Sequence, residues 1–409
     1  MTVLAHACEY FEQSRDERLS SQYIFDLPRQ AKTFVGLGCH QRIRYQTDGF
    51  HIESRGQITR LPPVQDPLPA MGALLDPGFP SFWMVSPDLA RQAHDPDVPL
   101  IICLQPSMEI QVCGFEMPAA APPRGDGAAA QGWETESDQV FLERLKSAIE
   151  ILQAYPQGKM IITRPYQRPI GGRDPFELFK WFARTESHAA CNHFLKVDDA
   201  VFSLGCSPEN VFEVHDGRLA FDVVAGTRGV SPDPVVDARW LAALQADPKE
   251  RREHLMAFDR YKSRIETLIR PGSLVVEQLM QVLQLGNVRH LYSRLSGEMG
   301  PDLNWATLLA ASFPALSSYP DALQPLADNA SQPLRFYGGI LGRVSADQRQ
   351  SAFYLNLRAA LARRDVLFTQ GGVGVIAESE PEKELLEVKN KLSGLMKAVA
   401  GWEAGSGAA

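Results

Sequence analysis

Gly371-Gly-Val-Gly-Val-Ile-Ala-Glu-Ser379-Glu-Pro381-Glu-Lys-Glu384-Leu-Leu-Glu387-Val-Lys-Asn-Lys391 is the stretch of this 409-residue chain whose reading decides the rest. It continues a β-rich region, with Val366–Thr369 and Val373–Ile376 as expected strands. Ser379 and Pro381 then open a helix expected over Pro381–Ala398. Glutamates fill its first turns and lysines come later, as the helix dipole favours. At 3.6 residues per turn, Glu384, Glu387 and Lys391 share one face. Two carboxylates on one face can ligate a hard cation such as magnesium. Alone, they read more simply as a solvated face with an i,i+4 Glu–Lys pair worth roughly 0.3 kcal/mol. The glycines tip the balance. Gly371, Gly372 and Gly374 read as a glycine-rich turn into a helix N-terminus, which presents backbone N–H groups to an anion. An anion site beside paired glutamates implies a metal bridging substrate and protein.

Working outward, Glu250 and Glu253 repeat the i,i+3 spacing inside Lys249-Glu-Arg-Arg-Glu-His254, on a helix expected over Pro248–Leu268. One such pair is ordinarily a charged surface; two in one chain favour a carboxylate-lined metal site. Gln139–Tyr155 reads as an amphipathic helix with Phe141, Leu145, Ile149 and Leu152 on one face. Lys159–Arg164, Val201–Leu204, Leu219–Val224 and Phe353–Leu357 read as strands, as do Ile101–Leu104 and Glu109–Val112 in the N-terminal third. Proline, glycine and alanine dominate between Met117 and Asp138. The expected division is therefore an N-terminal part over 1–117, a flexible linker over 118–138, a catalytic region over 139–400 and a disordered tail over 401–409. There is no internal repeat.

Bulk properties exclude several classes. The chain is 44% hydrophobic and 22% charged, which suits a globular protein with a large core. No run of eighteen apolar residues exists to span a membrane, and Met1–Arg15 lacks the apolar stretch of a signal peptide. Six cysteines without a CxxC pair read as reduced thiols of a cytoplasmic protein and argue against zinc. The net charge is −8 with no basic stripe, so nucleic acid is not an expected partner. A net acidic protein that takes an anion needs local cations.

Several further segments, in order, carry a resemblance. They are Lys159-Met-Ile-Ile-Thr-Arg164, Gly205-Cys-Ser-Pro-Glu209, Ala225-Gly-Thr-Arg-Gly229, Glu250 to His254, His290-Leu291, Pro314-Ala-Leu-Ser317, Tyr337-Gly-Gly339, Leu357-Arg358 and the closing glycine–glutamate stretch. Together they resemble the chorismate-utilising enzymes: anthranilate, aminodeoxychorismate, isochorismate and salicylate synthases. The N-terminal third matches weakly, at Pro87-Asp-Leu-Ala90 and Asp97–Leu100. The resemblance implies an α/β (α+β) fold of the anthranilate synthase component I type: one large domain, two facing antiparallel sheets, helices outside. It implies chorismate as the small-molecule partner and Mg2+ as the cofactor. Lys159 would be a general base and Glu209 a general acid, so the lysine must be neutral and the glutamate protonated. Glu250, Glu253, Glu384 and Glu387 would hold magnesium against the ring carboxylate. Arg358, Tyr337 and the amides around Gly372 and Gly374 would take the enolpyruvyl carboxylate, with Thr227, His290, Ala315, Leu316 and Lys391 in the same pocket.

Departures cluster near the substrate. The family's His-Pro-Thr is here Ala311-Ser312-Phe313, a glutamate shortly before Tyr337 is Gln332 in a shortened stretch, and Gly-Ala-Gly is Gly372-Val373-Gly374. Aminodeoxychorismate synthases carry lysine where Ala225 stands, and anthranilate synthases take ammonia from a glutaminase and lack a base at Lys159. The water-using branch is therefore expected, as a monomer without a glutaminase subunit. Its product is expected to be isochorismate, because Ala315 leaves the ring wall loose, with salicylate plus pyruvate as the alternative. A diverged, non-catalytic chorismate binder is the reading from a different class.

Overall fold

A computed structural model describes residues 2–14, 21–91, 93–113, 132–186, 189–285, 288–301, 303–326 and 332–405. Among the described residues every strand pairing is antiparallel, and the strands form two sheets, one of eight strands and one of eleven. The eight-stranded sheet runs in space through 108–113, 32–37, 21–27, 191–196, 201–207, 359–363, 366–375 and 160–169. The larger sheet begins at the edge strand Val275–Leu285 and ends at Gln57–Leu61. N-terminal strands sit beside C-terminal ones in both, so the first third of the chain is woven into the same fold.

The sheets face each other across one apolar layer. Phe25 and Phe34 of the smaller sheet meet Phe82, Met84, Ile102 and Leu104 of the larger. Because strand side chains alternate, each sheet has a second apolar face that helices must cover. Phe176, Phe179 and Phe182 of the Pro175–Thr185 helix cover the smaller sheet together with Leu395, Val399 and Trp402 of the last helix. Phe258 and Ile265 of the Pro248–Glu266 helix cover the larger.

The expected helices over 139–155, 248–268 and 381–398 form at Asp138–Leu152, Pro248–Glu266 and Pro381–Gly405. Ser137 caps the first, accepting the Val140 N–H at 3.3 Å, and Asp247 caps the second. Three expectations need correction. The two late strands are one, Val366–Val375, paired along its whole length with Met160–Pro169. The tail over 401–405 is helical, with Trp402 buried and Glu403 bonded to Arg168; the rest of the expected tail lies outside the described residues. Of the expected linker, 118–131 lies outside the described residues. Residues 132–138 are tied down: Glu134 pairs with Gln167, and Arg164 bonds Asp138 at 2.7 Å.

Candidate active site

The cavity lies where the 160–169 and 366–375 strands pass under the last helix and meet the end of the Arg218–Gly229 strand. The space between its lining residues, open solvent at the mouth included, is about 850 Å³. Twelve of the residues named from sequence line it: Lys159, Glu209, Thr227, Glu253, His290, Leu316, Tyr337, Arg358, Gly372, Gly374, Glu387 and Lys391.

The glycines are not the expected turn. They lie in the strand, with Gly371 opposite Arg164, Gly372 opposite Thr163 and Gly374 opposite Ile161. Their role is to clear space. A Cβ on Gly374 would lie 2.1 Å from Lys159 Cε, and one on Gly372 would lie 2.9 Å from the Tyr337 hydroxyl. The neighbouring strand 359–363 stops pairing at Thr369, which frees this edge toward the cavity. There the Gly372 carbonyl accepts from Lys391 Nζ at 3.1 Å.

Lys159 precedes its strand and is fixed by a two-way backbone bridge to Tyr319, at 2.7 Å each way. Its Nζ donates to Glu253 Oε1 at 3.0 Å in a salt bridge. Glu209 follows Ser207 and Pro208 at the crossing between the two sheets. Burial outweighs the nearby Lys159 and Lys391 and pushes its carboxyl up to about 8, so it is mostly protonated at neutral pH. His290 accepts from or donates to the Thr227 hydroxyl at 3.0 Å. Burial, with Arg358 and Lys391 nearby, pulls its imidazole down to about 3 and keeps it neutral. Arg358 is buried, has a left-handed φ of +46°, and bonds Glu186 at 3.1 Å.

Three of the site residues named from sequence stand outside the cavity lining. Ala315 packs at the margin of the larger sheet's core, and its neighbour Leu316 takes the wall position instead, against Gly338. Glu250 turns to cap the backbone, accepting the Thr227 N–H at 2.7 Å. Glu384 is buried behind the wall. Gln332 is exposed and away from the cavity.

Three of the four glutamates nonetheless meet, at a residue that sequence reading passed over. Lys249 Nζ lies 3.2 Å from Glu250, 3.5 Å from Glu253 and 3.2 Å from Glu384. Burial opposes its charge, but these carboxylates outweigh burial and hold the ammonium well above its ordinary range. Glu387 pairs with Lys391 at 2.7 Å. For Glu253, Lys159 and Lys249 outweigh burial and hold the carboxyl down at about 2. Glu384 goes the other way: burial and then Glu387 push it up to about 7. Crowded carboxylates with too little counter-charge fit a hard divalent cation. Among the described residues, however, no three such side chains converge as a metal cage. Carboxylate oxygens are the donor type a hard cation takes, but here they surround an ammonium. Lys249 was visible as the i,i+4 partner of Glu253, whereas Glu186 had no local signal at all.

The fold of facing antiparallel sheets thus holds a cavity lined by three cations, Lys159, Arg358 and Lys391, and three carboxylates, Glu209, Glu253 and Glu387. Residues 103–397 match the family described as chorismate binding enzyme, and the chain belongs to that family. It is 31% identical to anthranilate synthase component 1 of Streptomyces coelicolor over 291 residues, 70% of this chain and 56% of that protein. A Saccharolobus solfataricus anthranilate synthase component 1 is 28% identical, covering 63% of this chain and 61% of its own. The chain thus spans little more than half the length of these relatives. By structure it is similar to a Bacillus anthracis protein, DhbC, described as a 2,3-dihydroxybenzoate-specific isochorismate synthase, with a TM-score of 0.75 at 19% identity over 96% of this chain and 99% of the other. It is also similar to the menaquinone-specific isochorismate synthase MenF of Escherichia coli, with a TM-score of 0.69 at 17% identity over 97% and 100%. No helix among the described residues is long and apolar enough to cross a membrane.

Proposed function

We propose that this protein binds chorismate and converts it to isochorismate with magnesium. The observation that carries the reading is that a lysine and a protonated glutamate share one cavity: Lys159 and Glu209, whose carboxyl is held at about 8. Water addition at ring C2 with loss of the C4 hydroxyl needs a base for the attacking water and an acid for the departing hydroxyl. Glu209 donates the proton that lets hydroxide leave as water. Lys159 takes a proton from the attacking water, and to do so it must first lose its own proton and leave the Glu253 salt bridge. The two proton transfers balance, and water is neither gained nor lost overall. Arg358 and Lys391 supply the positive charge that a dianion needs in a protein of net charge −8. Glu253, Glu384 and Glu387, with Glu250 beside them, would hold magnesium in place of the Lys249 ammonium. When bound, the ion would neutralise and clamp the ring carboxylate.

The names of the curated relatives favour a second reading, in which ammonia rather than water attacks and anthranilate forms. One incubation separates the outcomes. The protein is mixed with chorismate and magnesium, with and without ammonium, and products are identified by mass. Isochorismate without pyruvate is expected. Anthranilate that appears only with ammonium, or stoichiometric salicylate and pyruvate without an added lyase, would replace the reading. Excess EDTA should abolish turnover, and full activity in the chelator would remove magnesium from the proposal.

A further inference from the structure

We infer that Glu186 is a positioning residue for this reaction: its buried carboxylate anchors the Arg358 guanidinium so that the other donors face the cavity. The inference rests on the reading that Arg358 takes a substrate carboxylate.

Glu186 ends the Pro175–Thr185 helix, far from the cavity in sequence. Its backbone is fixed on both sides, the N–H donating to the Phe182 carbonyl at 2.9 Å and the carbonyl accepting from Ala189 at 3.2 Å. Its Oε2 accepts from Arg358 Nη1 at 3.1 Å, with both side chains about nine-tenths buried. Among the described residues this is the one hydrogen bond that the Arg358 side chain donates, which leaves Nε and Nη2 for a ligand. A guanidinium is a planar fork, so fixing one nitrogen sets the direction of the others. Arg358 itself stands at φ +46°, a conformation that a non-glycine residue keeps only when its surroundings enforce it. The last helix makes room for the anchor. A Cβ on Gly394 would lie 1.7 Å from Glu186 Oε1. Gly394 is three residues beyond Lys391 and so on the same helical face. One face of one helix therefore presents a cation to the cavity and a gap to the carboxylate behind it.

Steady-state kinetics of the full chain with chorismate and magnesium test this. Glu186→Ala should raise KM about tenfold while kcat stays within about threefold, since misplacement of a binding group is felt in ground-state contacts. Glu186→Gln keeps an oxygen acceptor and should restore KM to within about threefold of the parent. Gly394→Ala displaces the carboxylate without altering either partner and should raise KM like Glu186→Ala; it carries the test if Glu186→Ala does not fold. An unchanged KM in a folded Glu186→Ala, or in Gly394→Ala, overturns the inference, as does a failure of Glu186→Gln to rescue. Arg358→Ala separates the two readings. If it raises KM and Glu186→Ala does not, only the anchor is wrong; if it leaves KM unchanged, the assignment of Arg358 falls and the anchor with it.

Discussion

The two walls of the cavity are built by opposite means. The strand wall, 160–169 against 366–375, works by what it lacks: glycines at 371, 372 and 374 leave the volumes that Leu392, Tyr337 and Lys159 fill. The helix wall, 248–266 against 381–405, works by excess: four glutamates brought together and held by Lys249 and Lys391. A clearance in a paired strand is rigid, because moving one residue disturbs its ladder with 160–169. A charge cluster is adjustable, because one cation can replace another. The strand wall should therefore be the less forgiving of substitution, and the helix wall the place where ions and pH act.

The largest effect should come from the strand wall. Lys159→Ala removes the proposed base and should cost about 10²–10⁴-fold in kcat with chorismate binding nearly intact. Gly374→Ala should approach the same loss by pushing the Lys159 side chain out of place, with an unchanged circular-dichroism spectrum. If Gly374→Ala kept near-wild-type turnover, the contrast between rigid and adjustable walls would fail.

Glu209→Gln should cost a similar 10²–10⁴-fold, and it carries a pH signature. The donor is the protonated form, present below about 8, so the rate should fall as pH rises through about 8. The variant should lose that alkaline limb. The same shift bears on stability. The folded value lies above the ordinary 4.5, so the folded state binds the proton more tightly, and stability falls as pH rises between about 4.5 and 8. Thermal melts across that window should show a shallower decline for Glu209→Gln. An alkaline limb that persists in the variant would assign it to another group.

Lys249→Met should act on the helix wall alone. Removing the shared ammonium leaves Glu250, Glu253 and Glu384 facing one another, which should destabilise the metal-free protein by about 1–3 kcal/mol. A melt in EDTA measures it. The same variant should bind manganese, a paramagnetic substitute for magnesium, more tightly than the parent, because no tethered cation competes. Equal or weaker binding would mean that Lys249 does not compete with the metal.

The smallest effect is expected at Glu250. Its Oε2 is taken up by the Thr227 N–H, outside the cavity lining. Glu250→Gln keeps that acceptor and should change kcat/KM by less than about fivefold, against a far larger loss for Glu387→Gln, which lines the cavity. Equal losses in the two would place all four carboxylates on the ion.

The sequence by itself determined the elements and much of the residue set. Helical period put Glu384, Glu387 and Lys391 on one face, Pro381 set the start of their helix, and an ordered series of short motifs identified the family across the sheets. These are local properties, carried by propensity, spacing and side-chain type. Tertiary structure decided what those residues touch. Glycines that read as a turn became a strand, because a ten-residue ladder with 160–169 satisfies their backbone groups and the space they leave is filled from elsewhere. Ala315 gave way to Leu316 at the wall. The apolar surroundings of Lys159 said nothing of Glu253, 94 positions away, and nothing near Arg358 announced Glu186, 172 positions away. Pairing, clearance and the balance between burial and neighbouring charge depend on distances between segments remote in the chain, and those distances exist only once the two sheets have closed on each other.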